Sequence, residues 1–188
     1  YLAARADANW QARFEPQLQA LIERMIQTGL VEVDGEKIRL TILGTACGQS
    51  PLQLDSALQL VEMIRAMPPA AVTPVALMVL CEALPEMDAD YTPLQRGRRG
   101  EPNRPAELAS RFGHQLAALL QRRAGDDLTY HRRCKRALVL ADWLDGRPID
   151  EIERAYSPNA FSRMAHGDIV GFADQARFFL QSALRIAA

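Results

Sequence analysis

Hydrophobic residues recur every three or four positions over residues 10–27, which predicts an amphipathic helix. Gly29 follows, and glycine commonly ends a helix just past its C-cap. Residues 30–33 and 37–41 are two short apolar-rich segments on either side of an Asp-Gly pair, and this pattern is typical of a β-hairpin. A helix followed directly by a small hairpin is the order of the second half of a winged helix, but other helix–hairpin segments share it, so both interpretations stay open.

Beyond residue 41 the hydrophobic spacing predicts helices and no further strands. After a helical stretch through Cys47, helices are expected over residues 52–67, 73–84, 105–124, 130–144, 149–156 and 168–188. Ser50 and Pro51 are expected to cap and begin the first of these, and Asp168 to cap the last. Residues 75–80 are apolar nearly all round, so their helix is expected in the middle of the domain. The predicted fold class is therefore mainly α.

Residues 85–105 interrupt this pattern with four prolines, two glycines and four arginines, which predicts a long loop. Its arginines form the strongest basic run in the chain: Arg96, Arg98, Arg99 and Arg104. Two interpretations stay open, a solvated surface insertion and a contact with phosphates.

The composition fits one or two globular domains: 188 residues, 48% hydrophobic and 24% charged. Basic and acidic residues number 22 and 23, a net charge of -1, which excludes a strongly basic nucleic-acid-binding protein but not a local basic surface. No apolar run is long enough for a membrane span, so no membrane partner is expected. Three widely spaced cysteines favour reduced thiols and a cytoplasmic location.

The motifs of common active sites are missing from the sequence: it has no phosphate-binding loop, no dinucleotide fingerprint and no HExxH zinc motif. The histidines are far apart, and the acidic pairs Asp88/Asp90 and Asp126/Asp127 are interpreted as caps and solvated turns. No self-contained active site, cofactor or metal site is predicted.

The last predicted helix carries one aromatic ring on an otherwise polar face. At about 100° per residue, the residues within about 60° of Phe178 are Gly171, Asp174, Gln175, Gln181, Ser182 and Arg185. The opposite side consists of Ile169, Phe172, Ala173, Ala176, Leu180, Ala183, Leu184 and Ala187. Two explanations for Phe178 stay open: stacking on a nucleic-acid base, or burial against a neighbouring domain or loop.

Three segments together resemble the C-terminal region of Ski-like superfamily 2 helicases, and in particular the HelQ-like DNA-repair helicases. They are the helix ending ALVLADWLDG at residues 137–146, the short helix IDEIERAY at 149–156 and the Gly-Asp-Ile start of the last helix. Residues 40–44 are similar to the T-x-L-G at the end of that family's winged helix, and residues 77–87 to its helix followed by Glu-Met.

The resemblance implies a partial winged helix over residues 1–48 and a seven-helix ratchet domain over residues 49–188. It further implies that the last helix lies across a single strand of DNA or RNA, with Phe178 at the family's stacking position. The family's arginine falls near Val170 or Gly171, so Arg177 or Arg185 is expected to replace it. The remaining expected contacts are Gln175 and Gln181 on the same helix, and Arg98 and Arg99 in the loop.

The chain begins at Tyr1 rather than Met, so we expect it to be a piece of a longer protein. The resemblance places RecA-like motor domains, with their ATP and Mg²⁺, before Tyr1, and makes this region a grip on single-stranded nucleic acid. Two alternatives remain. One is a helical protein-interaction module without nucleic-acid contact. The other is a transcription regulator reading duplex DNA, which the truncated winged helix disfavours.

Overall fold

A computed structural model of the chain describes residues 9–35, 37–94, 101–157 and 163–188. Within these ranges the protein is mainly helical, with nine α-helices and one two-stranded antiparallel sheet, so the predicted mainly α class is confirmed. The chain divides into two compact units at the Ser50–Pro51 bond; the boundary expected from sequence lies between residues 48 and 49.

The first unit consists of α1 (Trp10–Gln27), β1 (Val31–Asp34), β2 (Lys37–Leu40) and α2 (Ile42–Gly48). Helix α1 ends in a Schellman motif, because Gly29 adopts a φ of 71° and the next amide, of Leu30, donates to the Met25 carbonyl over 2.8 Å. The helix therefore ends where the sequence predicted, and the chain turns directly into the hairpin.

The hairpin has one apolar and one charged face. Its cross-strand pairs are Val31 with Leu40 and Val33 with Ile38 on one face, and Glu32 with Arg39 and Asp34 with Lys37 on the other. This separation follows from the two-residue period of a strand.

The junction between β2 and α2 depends on a threonine and a glycine. The Thr41 hydroxyl donates to the Gly29 carbonyl over 2.6 Å and accepts from the Gly44 amide over 3.0 Å, which caps α2. A Cβ atom at Gly44 would lie 1.8 Å from the Leu30 carbonyl oxygen. Only glycine therefore allows α2 to approach the backbone that follows α1.

The second unit contains seven α-helices among the described residues. They are α3 (Leu54–Arg65), α4 (Pro74–Cys81), α5 (Arg104–Phe112), α6 (His114–Arg123), α7 (Asp127–Leu144), α8 (Ile149–Tyr156) and α9 (His166–Ala187). Helix α4 is buried from Ala76 to Cys81, as its all-round apolar sequence predicted. Helix α9 packs mainly against α4.

Several helix boundaries differ from the sequence prediction: α7 begins at Asp127 instead of residue 130, α4 ends at Cys81 instead of residue 84, and three further differences follow. Ser50 does not cap α3, which begins at Leu54 after Gln53. The single helix expected over residues 105–124 is two helices, because Gly113 adopts a φ of 93° that no helix accommodates. Asp168 lies in the first turn of α9 and accepts from the Ala165 amide over 2.9 Å instead of being the N-cap itself.

Charged side chains of α7 hold the segment after α4 in place. Arg133 donates twice to the Asp88 carboxylate, over 3.0 and 2.6 Å, and Arg136 also donates to Asp88 over 3.1 Å. Lys135 donates to the Pro93 carbonyl over 2.5 Å. Asp88 therefore lies in a turn, as interpreted from the sequence, but its carboxylate is only partly solvated, because two buried guanidinium groups bind it.

Candidate functional site on the last helix

Helix α9 has a buried inner face and an exposed outer face. The buried residues are Ile169, Phe172, Ala173, Ala176, Phe179, Ser182, Ala183 and Ile186. The helical wheel misplaced two positions: Ser182 is 1% exposed although it was expected beside Phe178, and Leu184 is 43% exposed although it was expected in the core. The neighbouring helices decide this rotation, because the apolar residues of α9 extend over more than half of its circumference.

Phe178 lies on the outer face and is 49% exposed. Its ring contacts the buried ring of Phe179 edge to face, with centroids 5.8 Å apart and planes at 63°. Among the described residues, no element buries the rest of the Phe178 ring. The Phe179 contact supports one edge of Phe178 and leaves aromatic surface open to a ligand.

Polar residues surround Phe178 on the outer face. Arg177, Gln181 and Arg185 are all exposed there, so the structure brings these three predicted residues onto one surface with Phe178. Neither Arg177 nor Arg185 forms an ion pair or hydrogen bond within the part of the chain that the structure describes. Asp174 is exposed on the same face and contributes the opposite charge.

Gln175 has a different position from the other predicted contacts. It is half-buried at the edge of the inner face, and its side-chain amide donates to the Glu86 carbonyl over 3.3 Å. This bond joins α9 to the 3-10 turn Pro85–Ala89. Gln175 therefore contributes to the domain's own packing.

Of the four arginines of the basic loop, the structure describes Arg104 alone. Arg96, Arg98 and Arg99 lie outside the described residues. Arg104 is buried, pairs with Glu101 over 3.2 Å and Glu107 over 2.8 Å, and stacks 4.5 Å above the Tyr156 ring. For Arg104 neither open interpretation of the loop holds, because its guanidinium is neither solvated nor free for phosphate but is bound inside the protein.

An apolar groove lies between α7 and α9, with a cavity volume of about 150 Å³. Its residues are Leu140, Trp143 and Leu144 of α7, Ala173, Ala176, Arg177 and Leu180 of α9, and Met78 of α4. The surface that lines it is entirely apolar, and Trp143 is 40% exposed. Sequence reasoning missed this groove; the pair of small residues one turn apart on α9 was its only sequence signal.

Asp142 fixes the end of α7 that carries Trp143. Its carboxylate accepts from Arg111 over 2.6 Å, from Arg147 over 2.8 Å and from the Tyr156 hydroxyl over 3.0 Å. Burial opposes ionisation of Asp142, but these three hydrogen bonds outweigh it and lower its pKa below the usual value. Burial of the Tyr156 hydroxyl, together with the negative charge of Asp142, raises the pKa of Tyr156.

The described residues offer no metal centre, since none of their His, Cys, Asp and Glu side chains form a group of three or more that could hold an ion. No helix in the described ranges is both long and apolar enough to cross a bilayer. Models of protein families give no match to the chain, and neither do curated protein sequences. The candidate site is therefore defined by shape and charge alone.

Proposed function

We propose that this chain is the C-terminal winged-helix and ratchet region of an ATP-dependent, Ski-like superfamily 2 helicase, and that the outer face of α9 grips a single strand of DNA or RNA. The RecA-like motor domains of the same protein would bind ATP and Mg²⁺ and drive translocation. This region would hold the strand between steps of that motor.

The observation that carries the proposal is the half-exposed ring of Phe178 on a helix that already has a buried inner face. Base stacking on an aromatic ring contributes about 1–3 kcal/mol per base and tolerates any sequence. Arg177 and Arg185 lie on the same face without protein partners among the described residues, so both guanidinium groups are available to phosphates.

The architecture supports the same proposal. A helix, a hairpin and a short capped helix precede a unit in which the described residues form seven α-helices. That order agrees with the winged-helix and seven-helix arrangement that the resemblance implies. Two residues of the T-x-L-G similarity also have a physical role. Thr41 caps α2, and Gly44 allows the close approach of α2 to Leu30.

The test is fluorescence anisotropy of labelled oligo(dT) and oligo(U) with the wild-type chain and with Phe178→Ala at low salt. We expect Phe178→Ala to weaken binding about tenfold, as loss of one stacked base implies, and Phe178→Trp to retain it. Leu184→Ala is the matched control, because Leu184 is exposed on the same face but has no aromatic ring.

Salt dependence separates the arginines from the ring. Arg177→Ala and Arg185→Ala should each reduce the slope of log affinity against log salt by about 0.7, the value for one phosphate contact to a single strand. Phe178→Ala should leave that slope unchanged. Equal affinity of wild type and Phe178→Ala for both oligonucleotides at low salt would remove Phe178 from the proposed interface.

A further inference from the structure

The groove between α7 and α9 has the size of one aromatic ring. The volume of this groove is about 150 Å³, which equals that of an enclosed apolar cavity able to accept a molecule such as benzene, although the groove is partly open to solvent. Trp143 and Leu144 line it from α7, and Ala176 and Leu180 line it from α9. A single ring or branched aliphatic side chain therefore fits it.

The chemistry of the lining discriminates between possible occupants. No polar surface faces the groove, so a nucleobase placed there would lose hydrogen bonds from its edges to water without replacement. The side chain of phenylalanine or leucine has no hydrogen-bonding groups, and its burial lowers the free energy of the complex. The groove thus favours an apolar side chain of a protein segment over a base.

Arg177 specifies the charge next to that side chain. It lines the groove although the lining is apolar, so its aliphatic stem faces the groove while its exposed guanidinium extends beyond it. Among the described residues no carboxylate pairs with this guanidinium. A carboxylate adjacent to the inserted side chain would complement it.

We propose that this groove docks a partner protein through an acidic segment that presents one aromatic side chain, with Arg177 binding a carboxylate of that segment. The docking site is separate from the proposed strand contact, because Ala176 and Leu180 each lie about 160° around the helix from Phe178. The two sites share only Arg177, so this inference does not depend on the proposed function.

The experiment uses the full chain and an acetylated, amidated peptide of sequence Glu-Asp-Phe-Asp-Glu. Binding is measured by perturbation of amide resonances in a ¹H–¹⁵N NMR titration. The control peptides replace phenylalanine with alanine, or all four acidic residues with lysine. Two variants alter the groove in opposite ways: Ala176→Leu fills it and Trp143→Ala removes one wall. Circular dichroism and thermal unfolding verify that each variant is folded.

We expect the acidic phenylalanine peptide to perturb α7 and α9, and both control peptides to bind at least about tenfold more weakly, as for the loss of a central interface anchor. Ala176→Leu, Trp143→Ala and Arg177→Ala should each weaken binding of the acidic phenylalanine peptide to a similar extent. Arg185→Ala and Phe178→Ala should not, and they serve as controls for charge and for the strand contact.

Three results would overturn the docking proposal. The first is no perturbation by the acidic phenylalanine peptide at millimolar concentration. The second is equal binding of the peptide to Ala176→Leu, Trp143→Ala and wild type. The third is a loss of oligo(dT) binding in folded Ala176→Leu without any loss of peptide binding, which would assign the groove to a base. Failure of the strand proposal is distinct, because it is measured with Phe178→Ala and oligo(dT).

Discussion

Arg136 of α7 and Glu82, the residue that follows α4, form an ion pair with both side chains fully buried. The Arg136 Nε donates to Glu82 Oε2 over 2.6 Å, and burial of Glu82 raises its pKa while the charge of Arg136 opposes the shift. Because each ion compensates the other in a low-dielectric interior, loss of Arg136 leaves Glu82 as an unpaired buried charge. The pair joins the two helices that contribute Met78 and Trp143 to the groove.

Arg136→Met is expected to reduce the free energy of unfolding by about 3–5 kcal/mol, because it leaves Glu82 charged and unpaired. The double variant Arg136→Met/Glu82→Gln should recover part of this loss, since both charges are then removed. Urea unfolding followed by circular dichroism measures both values. A double variant no more stable than Arg136→Met would show that packing, not charge compensation, dominates at this site.

Gly44→Ala is expected to destabilise the first unit by about 1–3 kcal/mol, because the new methyl group overlaps the Leu30 carbonyl and the backbone must move. Gly48→Ala is the control: it lies in the same helix, and a Cβ atom there meets nothing within 4 Å. Hydrogen exchange of the hairpin amides measures the effect. Equal exchange rates in the two variants would contradict the close approach at Gly44.

Asp142→Asn is expected to lower stability at neutral pH by about 1–3 kcal/mol, since three hydrogen bonds to a charged acceptor are weakened. The pKa of Asp142 is lowered in the folded protein, so its contribution is present above the usual value of 3.8 and disappears as pH falls through the lower folded value. The stability difference between wild type and Asp142→Asn should therefore shrink in strong acid.

Asp145→Asn serves as the control for this pH experiment. The Asp145 side chain is 74% exposed and pairs only with Arg111 among the described residues, so its removal should change stability by less than about 1 kcal/mol. Chemical denaturation at a series of pH values gives both curves. A wild-type minus Asp142→Asn difference that stays constant into strong acid would contradict the lowered pKa.

Cys81 and Cys134 are expected to resist alkylation in the native protein. Burial raises the pKa of Cys134 to about 12. Burial also raises the pKa of Cys81, and the negative charge of Glu82 adds to this effect. The reactive thiolate is therefore almost absent at neutral pH. Treatment with iodoacetamide with and without urea, followed by peptide mass spectrometry, measures this. Rapid native labelling of either residue would refute the expectation.

Gly171→Arg is expected to strengthen binding of oligo(dT) and to increase its salt slope by about 0.7. Gly171 lies on the outer face of α9 two turns before Phe178, a Cβ atom there meets nothing within 4 Å, and the helicase resemblance places an arginine at or beside this position. Gly171→Gln is the matched control, because it gains the same helix propensity without charge. An unchanged salt slope would separate this position from the strand.

The sequence by itself determined where most elements form. Helix α1 and helix α8 have the predicted bounds, and the two strands of the hairpin lie on either side of the Asp-Gly pair, as predicted. Hydrophobic period, helix-ending glycines and turn residues act over a few neighbouring positions, so they can be recognised without the rest of the fold. The burial of α4 was predictable for the same reason, because its apolar residues leave no polar face.

Only the tertiary structure decided which surfaces these elements present. The rotation of α9 buries Ser182 and exposes Leu184, and the partners of Arg136 come from a segment more than forty residues away along the chain. The groove likewise needs α4, α7 and α9 together. Such features depend on which long-range contacts remove each side chain from water, and that choice belongs to the packed unit, not to any one helix.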